Sequence, residues 1–138
     1  MNDLQNRLES SFYARGLMKT LGARLLSVSD GEVQIELPFS ADLTQGLGYL
    51  HAGVVTSLVD TACGYAALTR APEGHTVVSG EFKTNFVRPA VGERFVAIGR
   101  LETAGRMLSV CRGEVVAYSG DSVKTVALMQ ATMANVPG

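Results

Sequence analysis

The chain is 138 residues long, 46% hydrophobic and 18% charged, with a formal net charge of -1. That size and composition fit one globular domain with a buried core and argue against disorder. A near-neutral balance argues against a nucleic-acid partner, because phosphate binding needs a clear excess of basic residues on one face.

Cys63 and Cys111 form no Cys-x-x-Cys pair, so they read as buried free thiols and not as a metal or redox site. Residues 1 to 10 are polar, with Asp3, Arg7 and Glu9, so no secretory signal is expected there. No apolar run approaches the ~20 residues of a spanning helix. A cytoplasmic protein with no membrane association is the expectation.

Apolar residues at Leu4, Leu8, Phe12 and Met18 predict an amphipathic helix within residues 1–18, with Gly16 blurring its end. From Ala23 to Val28, and again through Val33, Ile35 and Leu37, the pattern is strand. The turn Ser29-Asp30-Gly31 joins the two as a hairpin, and the alternation of Glu32, Gln34 and Glu36 gives it one wet face. Residues 39–50 form a loop with Gly46 and Gly48 as its flexible points.

A central helix is predicted over 51–69, because apolar residues fall in pairs every four positions from Val54 to Ala67. Thr56, Ser57, Asp60, Thr61 and Gly64 make a second strip of small or polar side chains on it. After the turn at residues 71–74, strands are predicted at about 76–87, 93–103, 107–118 and 122–134, joined by short turns as an antiparallel meander. The order is α+β, with one helix available to pack against the sheet. No repeat or linker divides residues 1–138, which read as a single domain.

Chemistry concentrates between Gln45 and Asp60. His51-Ala52-Gly53 stands at the helix start, where backbone N–H groups lack internal partners and the helix dipole favours developing negative charge. Ala52 and Gly53 have no bulk to block a carbonyl oxygen from those donors. Asp60, in the third turn of an apolar helix with no Lys or Arg within a turn, is either hydrogen-bonded structurally or a general base or nucleophile. Residues 52 and 60 lie roughly 12 Å apart along one helix at ~1.5 Å per residue. An oxyanion donor and the group that attacks the same carbon must both lie within ~3 Å of it. If both act, they come from two chains related by a two-fold axis.

The stretch from Leu43 to Gly92, with His51, Gly53 and Asp60 in place, resembles the hotdog-fold thioesterases of the phenylacetate-degradation (PaaI) type. The order of elements along nearly the whole chain fits that fold too. The one departure is Ala52, where the motif more often has Gly. The resemblance implies an antiparallel sheet wrapped around one central helix, acyl-CoA hydrolysis without metal or cofactor, and a homodimer that pairs into a dimer of dimers. It implies that the N–H of Ala52 binds the thioester oxygen, that Gln45 orients the thioester or water, and that Asp60 of the other chain is nucleophile or base. Ser79 fits the place of a hydroxyl that holds the water or acid. For CoA it points to Arg88 and Pro89, and to the hairpin Thr103, Gly105 and Arg106, where Gly105 would present backbone N–H groups. Lys83 is a fainter candidate. Tyr49, Leu50 and Phe82 are placed to line the acyl channel, with core packing the commoner role for such residues. His75 reads as a surface residue.

Two rivals are a hotdog enoyl-CoA hydratase or dehydratase, using His51 and Asp60 for proton transfer, and a non-catalytic acyl-CoA-binding protein. Acyl-group specificity is not written in these motifs.

Overall fold

A computed structural model describes residues 2–14 and 16–138. Two helices open the chain, α1 (Asn2–Ala14) and α2 (Gly16–Leu21), where one helix within 1–18 was expected. Residue 15, between the two, lies outside the described residues. Leu8 and Phe12, one turn apart on α1, are fully buried, as is Met18 of α2. Gly22 stops α2: at φ +81 its N–H returns to the carbonyl of Met18 at 3.1 Å, a left-handed cap that glycine adopts without strain.

Strands β1 (Arg24–Ser29) and β2 (Glu32–Pro38) form the expected hairpin, followed by a single 3-10 turn at Ala41–Leu43. Its polar face is not simply wet. Glu36 is only 5% exposed, held between Arg24 and Arg94. On the same face Val96, Ile98 and Val116 are buried without any covering layer of backbone. The stems of Arg24, Arg94 and Arg100 lie over this face with their side chains about half exposed, and Glu36 is buried between the first two. Alternation alone does not reveal this cover.

The central helix α3 runs Ala52–Leu68 and is followed by β3 (His75–Phe86), β4 (Arg94–Ala104), β5 (Leu108–Ser119) and β6 (Ser122–Pro137). All pair antiparallel in one sheet of order β1-β2-β4-β5-β6-β3. The expected meander therefore holds only for β4, β5 and β6. β3 pairs with β6, so the connection through residues 87–93 crosses from one side of the sheet to the other and leaves β3 an edge strand. Short turns at both ends suggest neighbours in sequence, but they cannot reveal that β5 and β6 lie between β4 and β3. His75 opens β3 and is exposed, as expected.

Why α3 lies so close to the sheet is visible in two glycines. Gly99 on β4 and Gly113 on β5 are direct cross-strand partners. A Cβ at Gly99 would stand 2.3 Å from the Ala62 backbone, and one at Gly113 would stand 2.5 Å from a Val59 methyl. The pair forms a trough into which the small-residue segment of α3 settles. At its far end α3 is tied to the β1–β2 turn: Thr69 accepts from Gly31 N at 2.9 Å, and Arg70 forks onto Asp30 at 2.8 and 3.2 Å. The guanidinium holds the Asp30 carboxyl below its usual range by that hydrogen bond. Both ends of α3 are thus positioned by fixed backbone.

Candidate active site

The start of α3 is set by His51, whose extended ψ of 138° precedes the helix and whose Nδ1 accepts from Gly53 N at 2.8 Å. An accepting Nδ1 places the proton of a neutral ring on Nε2. Gly53 has a reason beyond open approach, because a Cβ there would lie 3.0 Å from that same Nδ1. The N–H groups of Val54 and Val55 both donate to the His51 carbonyl, at 2.9 and 3.2 Å. Among the first N–H groups of α3, only that of Ala52 has no acceptor among the described residues.

The preceding loop is closed on itself. His51 N donates to Leu43 O at 2.9 Å, and Gln45 N to Tyr49 O at 3.0 Å. Gly46 and Gly48, at φ +107 and +87, make the tight return between them. Inside this loop the Gln45 Oε1 accepts from Leu47 N, which fixes the amide's orientation and leaves its Nε2 hydrogens to donate elsewhere. Gln45, Tyr49, Ala52, Phe86, Arg88 and Pro89 line one cavity of about 190 Å³. There Arg88 donates from one Nη to the carbonyl of Thr125 at 2.9 Å, so its guanidinium is anchored while other donors remain.

Asp60 lies in a different cavity, of about 330 Å³, between α3, α2 and β3. The carboxylate is half-buried at the cavity wall and not sunk in the core. Its Oδ1 accepts from Ser79 Oγ at 2.6 Å. Ser79 comes from β3 just before a bulge at Gly80, where the register shifts between Ser79 and Glu81. Neither Lys nor Arg lines this cavity. Beneath it Cys63 and Cys111 are free and buried as expected, and burial pushes both thiols up, Cys111 to about 11.

The remaining candidates are not gathered with these. Thr103, Gly105 and Arg106 line neither cavity, and neither do Phe82 and Lys83 on the exposed edge strand. Gly105 cannot present its N–H, since it already donates to Leu108 O at 2.9 Å. Its lack of a side chain serves the hairpin, because a Cβ would meet that oxygen at 2.4 Å. Asn135 braces the same turn, donating to the carbonyls of Gly105 and Arg106 at 3.0 and 2.9 Å. Missing from the candidates were Gly64, Leu68 and the α2 residues Leu17 and Met18, all in the Asp60 cavity wall. The strip containing Gly64 was the available signal. Among the described residues no group of three or more His, Cys, Asp or Glu could hold a metal, and no helix is long and apolar enough to cross a membrane.

A central helix laid into an antiparallel sheet, with an open N–H at its start and a hydroxyl-held carboxylate in its third turn, defines a hotdog-fold thioester hydrolase of the PaaI-like type. The sequence model of the thioesterase superfamily matches residues 47–124, more than half of the chain, which belongs to that superfamily. The crystal structure of a thioesterase family protein from Silicibacter pomeroyi is 37% identical and superposes with a TM-score of 0.95, over 98% of this chain and 99% of that one. The acyl-coenzyme A thioesterase PaaI of Escherichia coli is 27% identical across 87% of this chain and 82% of its own length. The E. coli PaaI structure shares the fold, with a TM-score of 0.88 at 23% identity over 99% of this chain and 96% of that one.

Proposed function

We propose that the chain is an acyl-CoA thioesterase, one hotdog domain over residues 1–138, whose two active sites are each completed by a second copy. The thioester carbonyl oxygen accepts from the N–H of Ala52, and the Nε2 of Gln45 orients the thioester or the attacking water. Asp60 of the other copy, held by its own Ser79, attacks the acyl carbon or takes the proton of a water that does. The C–S bond breaks and CoA leaves as a thiolate that takes up a proton; where Asp60 has attacked, water cleaves the resulting mixed anhydride to free the acid. Charge developing on the oxygen is met by a fixed donor at a helix N-terminus, an arrangement worth about 10²–10³ in rate. Arg88 beside Pro89 meets a CoA phosphate, and Arg106 with Thr103 offers a second contact at the β4–β5 hairpin. No metal or cofactor is assigned a role in these steps.

The observation that carries this reading is the separation of the two halves. The open N–H of Ala52 and the carboxylate of Asp60 belong to different cavities, eight residues apart on one rigid helix. The edge strand β3 supplies a place for the second copy: its outer backbone groups have no strand partner, and Val78 and Phe82 expose apolar surface along it. Pairing of two such edges gives the dimer, and two dimers give the tetramer the family suggests.

Complementation between two inactive variants tests the shared site. Ala52→Pro deletes only the open donor, since proline is favoured at the first helical position and the ψ of 138° at His51 suits a following proline. Asp60→Asn deletes the carboxylate. Each alone is expected to lower kcat by about 10²–10³ on acyl-CoA. Mixed and re-equilibrated in equal amounts, they should recover about a quarter of the parent activity, because half the dimers are hybrid and each hybrid has one intact site. No recovery on mixing, with hybrids verified by mass, would place both groups in one chain and refute the composite site.

A further inference from the structure

We propose that Gly64, facing Leu17 of α2 across the Asp60 cavity, sets the length of acyl group accepted, and that the preferred group is an apolar acyl body without polar substituents. This rests on the thioesterase reading above and extends it to substrate class.

The cavity beside Asp60 holds about 330 Å³, roughly twice the ~150 Å³ apolar cavity that admits benzene. Its helical wall is Asp60, Gly64 and Leu68, at intervals of four, so it runs along one face of α3 for ~12 Å from the carboxylate. An acyl chain whose carbonyl lies at Asp60 has this direction open to it.

Gly64 stands one turn beyond the carboxylate. An ideal Cβ there meets nothing within 4 Å. Gly99 and Gly113 are required by the close approach of helix and sheet, but Gly64 has no such neighbour. A glycine in mid-helix works against helix stability, and here the space before it is the cavity itself. Leu17, 54% exposed, closes the far wall from α2, beside the buried Met18.

Of the four hydroxyls along the walls, three are already engaged within the protein, and the fourth, Thr76, stands at the start of β3. Ser79 donates to Asp60 at 2.6 Å, Thr61 to the Ser57 carbonyl at 2.7 Å, and Tyr65 is bonded to Ser11 at 3.0 Å. A hydroxylated or charged acyl group would desolvate its polar atoms against Val77, Leu68 and Met133, a cost that the single Thr76 hydroxyl returns only in part.

The test is the kcat/KM ratio of octanoyl-CoA to acetyl-CoA in the parent and in Gly64→Leu. Leucine in this helix is a better helix former than glycine, so the variant should melt no lower than the parent. The ratio is expected to fall at least about tenfold, since each displaced methylene is worth that much in a fitted pocket. Gly64→Ala should give a smaller fall, and Leu17→Ala should raise the ratio of dodecanoyl-CoA to octanoyl-CoA. A ratio within about twofold of the parent in folded Gly64→Leu overturns the proposal. Titration with 1-octanol by calorimetry separates this from failure of the thioesterase reading. If the parent cleaves no acyl-CoA yet binds octanol, and Gly64→Leu abolishes that binding, the activity reading fails and the pocket stands. Octanol binding that is absent in the parent, or equal in both, overturns the pocket.

Discussion

Replacing Gly99 by alanine should unseat the central helix. The added Cβ would lie 2.3 Å from both the carbonyl carbon and oxygen of Ala62, and 2.6 Å from Cys63 N. Ordinary contact begins near 3.5 Å, so α3 must lift from the sheet by about 1 Å. Backbone cannot rotate away as a side chain can, which puts the cost near the top of the overpacking range, about 3 kcal/mol. For a chain of this size that corresponds to a fall in Tm of roughly 10 °C. Gly113→Ala clashes with a Val59 methyl at 2.5 Å and the Cys63 sulfur at 2.9 Å, both ends of side chains, and meets the Ile98 carbonyl at an ordinary contact of 3.4 Å, so it should cost about 1–2 kcal/mol. Because the two glycines face each other across β4 and β5, the double variant should cost less than the sum by at least about 0.5 kcal/mol. Once lifted, the helix has already cleared the second clash. Urea unfolding of the four proteins measures the cycle, and acyl-CoA hydrolysis by the folded fraction reports the displacement, expected to cost up to about 10²-fold. A Gly99→Ala protein no less stable than Gly113→Ala would refute the seating described for α3.

Ser79→Ala should lower kcat by about tenfold with little change in KM, and Ser79→Thr should restore most of it; full activity in the alanine variant would remove Ser79 from the support of Asp60. Glu36→Ala, which leaves Arg24 and Arg94 without their shared carboxylate and uncovers Val96, should cost about 2 kcal/mol in urea unfolding. Burial holds the Cys111 thiol up at about 11 against an ordinary 9.0. Its folded value is the higher, so the stability it contributes is complete below pH 9 and lost as pH rises toward 11, by about 3 kcal/mol. Measured between pH 8 and 11, Cys111→Ala should therefore lose less stability than the parent; parallel curves would contradict it.

The central helix was legible almost to the residue, because its apolar pairs recur every four positions and both ends carry their own signals. The strands were legible in existence and extent but not in order. Alternation reports which face a side chain takes and is silent on which strand lies alongside, so β3 was assigned to the wrong neighbour. Asp60 stood out as a lone carboxylate in an apolar helix, and Ser79 was placed opposite it through the family pattern. What the sequence could not convey was the occupation of hydrogen-bond donors. The N–H groups of Gly53 and Gly105 looked available, yet His51 and Leu108 have already engaged them. Nor could periodicity reveal that α2 folds back to wall the Asp60 cavity, since that contact joins segments more than forty residues apart.

The open donor at residue 52 belongs to the peptide backbone, and every amino acid except proline provides it. On the proposed reading, drift at this position is nearly invisible to function, and alanine serves as well as glycine wherever φ stays negative, as it does here. An alanine scan would pass over the group without registering it. Motif searches that demand glycine would reject chains that keep the full chemistry. For helix-start sites of this kind, the informative residue is the one that leaves a neighbouring N–H unclaimed, and here that is the histidine cap one position earlier.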